Sequence, residues 1–243
     1  MSPGSSESAA GGETGDKHSL TMKIKSILRK YDVGSRYTHF SLPKASVLLP
    51  LLIRQGKLHL LLTARSMNLK TMPGDVCFPG GRQEPSDQND IQTALRESKE
   101  EIGLCPEQVE IVGKLVPYIS KAPTYLITPV VGIVDDTFQP APNPSEVTDV
   151  FLVPLEFFIS SDHYTPLHLI KPYFGAHIIH RFRYQDVDTK KVFNIWGLTA
   201  HFALLLAVIL LEKGPSFDLE FDLESRLQGC EKALQDFHHQ SKL

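Results

Sequence analysis

Hydrophobic and polar positions change period several times along the chain, and each change marks an element. Between residues 19 and 31, Leu20, Ile24, Ile27, Leu28 and Tyr31 recur three and four places apart, with Lys23, Lys25, Arg29 and Lys30 around them. That spacing predicts an amphipathic helix that packs on a domain and solvates its basic face. Residues 47–53 and 58–63 are apolar runs separated by Arg54, Gln55, Gly56 and Lys57, the pattern of a hairpin. Residues 109–118 and 126–134 read as further strands, broken by a loop with Pro117 and Pro123. Residues 140–158 enter another apolar strand from a proline-rich turn. Residues 201–211, HFALLLAVILL, are apolar all round, which predicts a core helix.

Residues 78–104 read FPGGRQEPSDQNDIQTALRESKEEIGL: a glycine turn, a polar loop, then a helical stretch. On that helix Glu97, Glu100 and Glu101 share one arc, while Ile91, Leu95 and Ile102 cluster on another face. Three like charges at this spacing repel one another by about 0.2–0.5 kcal/mol per exposed pair. A bound divalent cation reverses the sign, and hard oxygen donors favour Mg²⁺ or Mn²⁺, which points to phosphate chemistry. Arg96 pairs with one of the acids and fixes its rotamer. Asp87 or Asp90 caps the start of the helix, and Gly103, followed by Pro106, ends it. The glycine pair permits close backbone approach and a carbonyl near the metal. A merely solvated acidic face accounts for the glutamates but leaves the glycine turn unexplained.

Composition narrows the classes. With 243 residues, 42% hydrophobic and 22% charged, the chain can build one substantial core. A net charge of −3 gives no electrostatic case for binding nucleic acid. Cys77, Cys105 and Cys230 are too few and too scattered for a disulfide framework or thiolate zinc site. No run reaches the length of a membrane span, and residues 1–15, rich in Ser, Gly, Ala and Glu, predict a disordered tail.

The second half of the 78–104 stretch resembles the Nudix box, matched by Arg96, Glu97, Glu100, Glu101, Gly103 and Leu104, with Ser98 at a position usually aliphatic. In the first half, Asp87 stands sixth after Gly81 where glutamate is usual, and Arg96 comes one residue later than in the general box. Residues 61–81 resemble the signature of the coenzyme A diphosphatase branch of the Nudix hydrolases, which carries the same longer box. Leu62, Thr63, Arg65, Ser66, Gly74 and the run from Phe78 to Gly81 match it; Lys70 stands where arginine is usual and Met72 where histidine is frequent. The IWGLTA of residues 195–200 resembles a terminal motif of the same branch.

The resemblance implies an α/β/α sandwich around a mixed sheet. It also implies metal-dependent cleavage of the diphosphate of coenzyme A or acyl-CoA to 3′,5′-ADP and 4′-phosphopantetheine or its acyl derivative. Mg²⁺ or Mn²⁺ would be held by Glu97, Glu100, Glu101 and Gly81. Arg65, Lys70, Gly80, Gly81 and Arg82 would bind substrate; a guanidinium such as that of Arg65 suits a diphosphate, although a lone arginine also serves as an ordinary surface residue. Glu146 is a candidate further ligand or base and equally a turn acid. The other readings are a Nudix hydrolase of ADP-ribose or NADH and a non-catalytic nucleotide-binding protein on the same fold. The expected layout is a tail over residues 1–15, the amphipathic helix and linker over 16–36, the Nudix domain over 37–230 and a tail over 231–243. The final Ser241, Lys242 and Leu243 form the tripeptide read by the peroxisomal import receptor.

Overall fold

The computed structural model describes residues 10–120, 123–171 and 175–240. Helix α1, Ala10–Leu28, precedes strands β1, Lys44–Arg54, and β2, Lys57–Arg65. Gln55 and Gly56, both at positive φ, turn the β1–β2 hairpin, which closes at Arg54 and Lys57. Two short strands, β3, Val76–Cys77, and β4, Gly80–Arg82, lead to helix α2, Asp90–Ile102. Then come β5, Val109–Lys114, β6, Tyr118–Ile119, β7, Leu126–Val134, and β8, Val147–Pro154. Hairpins β9, Leu167–Lys171, with β10, Gly175–Ile179, and β11, Arg181–Gln185, with β12, Val192–Trp196, precede helices α3, Gly197–Leu211, and α4, Leu223–Gln240.

The main sheet runs β3-β2-β1-β7-β5, with β4 on β1, β6 on β7 and β8 on β2. Only β1 and β7 among these pairs run parallel, so the sheet is mixed, as expected. Side chains alternate between two cores. Leu49, Leu51, Leu60 and Leu62 pack with α1 and α3, whereas Leu48, Leu52 and Leu61 pack with Ala94 and Ile102 of α2. Helix, sheet and helix thus form the three expected layers. Helix α3 is buried all round from Phe202 to Leu210, and its Thr199 hydroxyl donates to Val76 O at 3.1 Å, tying its first turn to β3.

Helices reach into both stretches expected as tails. Helix α1 extends back to Ala10, because adding turns to a helix anchored by buried Ile24, Ile27 and Leu28 requires only propagation. Residues 1–9 lie outside the described residues. At the other end, α4 carries the folded body through the boundary expected at residue 231. Leu234, 1% exposed, packs with Phe40, Val116 and Leu126, and Glu231 accepts from Arg36 at 2.7 Å and Tyr37 at 3.1 Å. Ser241, Lys242 and Leu243 lie outside the described residues. The single strand expected over residues 109–118 is two, β5 and β6, both on β7: Leu115 N still bonds Pro129 O of β7, and Pro117 between them has no N–H to offer.

Candidate active site

The site forms where β4 lies against α2. Pro79 O accepts from Leu48 N at 2.8 Å, which seats the glycine turn beside β1. Gly80, at φ 153, has Ser46 O where a side chain would begin. Gly81 faces the helix, and a Cβ there would overlap the Glu97 carboxylate. The turn therefore needs both glycines, one for backbone passage and one for a carboxylate.

Helix α2 is capped by Asn89, whose side chain accepts from Gln92 N at 3.0 Å. The expected caps, Asp87 and Asp90, have other partners: Asp90 pairs with Lys114 at 3.0 Å, and Asp87 is engaged by Arg96. Gly103, at φ 72, closes the helix as expected. The buried stripe runs through Thr93, Ala94, Ser98, Glu101 and Ile102, so Leu95 is only half-buried. Ser98 fits its usually aliphatic position by donating to Ala94 O at 2.6 Å.

The three box glutamates have separate environments. Glu101, 5% exposed, accepts from Gly80 N at 3.1 Å. Burial pushes its carboxyl up to about 8, helped by the charges of Glu97 and Glu146 and opposed by Gly80 N–H and Arg65. Burial also raises Glu97, with Arg96 opposing and Glu100 and Glu146 adding to the shift. Glu100 projects outward and takes Arg96 Nη1 at 3.1 Å. Glu146, from the loop before β8, is within electrostatic reach of both inner carboxylates, and its carbonyl accepts from Ser66 N at 2.7 Å.

Arg96 organises the acids. Its Nε and Nη2 donate to Asp87 Oδ1 and Oδ2, both at 3.0 Å, and Nη2 also reaches Arg82 O at 2.9 Å and Glu97 Oε1 at 3.1 Å. Asp87 receives Thr93 Oγ1 at 3.1 Å and Glu84 N at 2.9 Å as well. The Arg96 guanidinium holds the Asp87 carboxyl below the usual carboxylate range. Asp87 thus belongs to the site's frame; its sequence signal was its place sixth after Gly81.

The expected substrate residues divide. Arg65 ends β2, with its N–H donating to Asp75 O and its O accepting from Gly74 N. Its side chain reaches towards Glu101 and Cys77, and its buried Nε has no hydrogen-bond partner among the described residues. Lys70 sits in the exposed loop after β2, without a hydrogen bond or ion pair to the described residues. Arg82 lies across β4 from Gly81, its guanidinium 5.2 Å from the Tyr125 ring centre. The structure does not bring Lys70 or Arg82 into the carboxylate cluster: the pleat sends Arg82 to the opposite sheet face, and the loop holds Lys70 in solvent.

Among the described residues no three His, Cys, Asp or Glu side chains are drawn together as a finished metal cage. The donors nevertheless suit a hard divalent cation. They are carboxylate oxygens, two of them on groups whose charge burial disfavours, beside a glycine that leaves space at Glu97.

The NUDIX domain family model matches residues 42–173. A Mus musculus protein named peroxisomal coenzyme A diphosphatase NUDT7 is 46% identical over 228 residues, covering 93% of this chain and 95% of that protein. Nudix hydrolase 15, mitochondrial, of Arabidopsis thaliana is 41% identical over 165 residues, 67% of this chain and 56% of its own length. Among solved structures, a C. elegans Ap4A hydrolase binary complex aligns with a TM-score of 0.41 and 23% identity, over 47% of this chain and 82% of that one. With half the chain inside the domain match and nearly all of it aligned to the mouse relative, this chain belongs to the Nudix hydrolase family.

Proposed function

We propose that the protein hydrolyses the diphosphate bond of coenzyme A and acyl-CoA, with Mg²⁺ or Mn²⁺, giving 3′,5′-ADP and 4′-phosphopantetheine or its acyl derivative. The observation that carries the reading is the pair of buried carboxylates, Glu97 and Glu101, against the glycine turn, with the unpartnered Nε of Arg65 nearby. A buried unpaired guanidinium donor is costly unless a ligand satisfies it, and a diphosphate oxygen does so with opposite charge. The name of the mouse relative supports coenzyme A as that diphosphate and the peroxisome as the location.

In this reading Glu97 and Glu101 would hold the cation with the Gly81 backbone, and Glu100, more exposed, would complete the set. A bound divalent cation supplies charge neutralisation on the diphosphate and a more acidic water. Arg96 keeps Glu97 and Glu100 in place, Arg65 orients the diphosphate, and Glu146 serves as a further ligand or as the base that takes the water's proton.

The test is product analysis after incubating the full chain with coenzyme A, octanoyl-CoA, NADH or ADP-ribose in Mg²⁺. The expected result is 3′,5′-ADP from coenzyme A and its thioester, lost on chelation. Faster turnover of NADH or ADP-ribose would overturn the coenzyme A assignment.

A further inference from the structure

Register defines a trough that leads away from the glycine turn. Gly80 pairs with Val47, Arg82 with Ala45, Ala45 with Ile127, and Ile127 with Tyr118, so these positions share the sheet face that carries α3. Further along β1 that face is sealed, with Leu49 and Leu51 at 0% exposure. Here it is open: Val47, Ala45 and Ile127 are only half-buried, and Tyr118 is 42% exposed. Gly80 adds no side chain to block the near end.

The far end opens into a cavity of about 960 Å³ between β6, α3 and α4. Its apolar walls include Tyr118, Ile119, Leu234 and Phe237, and His201 is the polar group projecting from α3. The His201 and Tyr118 rings lie 6.0 Å apart. The volume falls within the roughly 300–1,000 Å³ typical of small-molecule sites.

We propose that the trough carries the pantetheine arm of the substrate and the cavity takes its acyl chain, with the thioester between Tyr118 and His201. This rests on the coenzyme A reading above. Length is compatible: from Gly80, at the site end, to Tyr118 the path covers three strand spacings of about 4.8 Å and two residues along the strand, roughly 16 Å in all. The arm from phosphate oxygen to sulfur has about twelve bonds, the length of four extended residues, about 14 Å, and the thioester carbon beyond it adds the remainder. Chemistry favours it as well. The floor is apolar, as the gem-dimethyl and methylene groups require, and burial holds His201 down at about 4, so a neutral imidazole faces an uncharged thioester.

The experiment compares kcat/KM for octanoyl-CoA and unacylated coenzyme A in the full chain, in Ala233→Trp and in Tyr118→Ala. Ala233 is an exposed position of α4 at the cavity, so the bulky side chain narrows the space without disturbing the buried face; Tyr118→Ala removes a wall instead. The acyl-to-free ratio is expected to fall about tenfold in Ala233→Trp, and a fall of threefold or more in either variant supports the assignment. A ratio that stays within threefold of the parent in both overturns it. Failure of the parent to cleave unacylated coenzyme A sinks the functional reading itself, so the two failures are distinct.

Discussion

Arg96 grips Asp87 through two parallel hydrogen bonds of 3.0 Å, with the Asp87 side chain 4% exposed. The same guanidinium bonds Glu97 and Glu100. Asp87 therefore sets where Arg96 lies, and Arg96 sets where two of the box acids lie. Replacing Asp87 with Ala leaves Arg96 half-served in a confined site, at a cost of about 1.5–3 kcal/mol. It also lowers turnover by freeing the acids. Urea unfolding together with steady-state kinetics checks both; the frame assignment fails if Asp87→Ala is as stable and as active as the parent.

The two glycines separate sterics from chemistry. Gly80→Ala drives a Cβ into Ser46 O, rigid backbone, at positive φ, and is expected to destabilise by roughly 1–3 kcal/mol. Gly81→Ala meets only the end of the Glu97 side chain, which can swing aside. Its stability should stay within about 1 kcal/mol of the parent while turnover falls tenfold or more, because the displaced group is the proposed ligand. Thermal melts and initial rates in Mg²⁺ distinguish the two; a fully active Gly81→Ala removes Glu97 from the site.

Local chemistry made part of this legible. The Arg54–Lys57 turn, the α2 glutamates and the Gly103 stop depend on residues within a turn or two of each other. What escaped depends on distant partners. Asp87 and Asp90 have the right chemistry to cap α2, but Arg96 and Lys114 recruit them, so Asn89 caps instead. Helix α4 joins the body through a narrow stripe of Leu227, Cys230 and Leu234 against Phe40, Val116 and Leu126, too few apolar positions to stand out in a charged segment. Arg82 lies one residue from Gly81, yet the pleat sends it to Tyr125. Proximity in sequence did not mean proximity to the carboxylates.

Glu101 makes the metal-free protein pH-sensitive. Burial raises its carboxyl from the ordinary glutamate range, near 4.5, to about 8 in the fold, so the folded state favours the proton. The sign follows: this site destabilises the fold progressively as pH rises from about 4.5 to 8, and the penalty is constant above that. Glu101→Gln, uncharged at every pH, should match the parent near pH 4 and exceed it by a few kcal/mol at pH 8 in chelator. Mg²⁺ should then raise the melting temperature of the parent more than that of the variant, and more at pH 8 than at pH 6. Parallel stability curves across this range would show that Glu101 does not govern the metal-free electrostatics.

Arg65 is the sharpest test of substrate contact, because its buried Nε has no hydrogen-bond partner among the described residues. Such a donor lowers the stability of the free protein and is satisfied when an anion arrives. Removing it should therefore act on binding and turnover more than on folding. Arg65→Ala is expected to lose about 2–4 kcal/mol in kcat/KM for coenzyme A, with little loss in thermal stability. Arg65→Lys should recover only part of the loss, since a point charge cannot reproduce the planar fork. The pair also separates two roles. A guanidinium that merely offsets the Glu101 charge is rescued by lysine, whereas one that grips the diphosphate is not. Full rescue by lysine across ionic strengths would assign Arg65 to the electrostatics of Glu101 and leave the diphosphate grip to another residue.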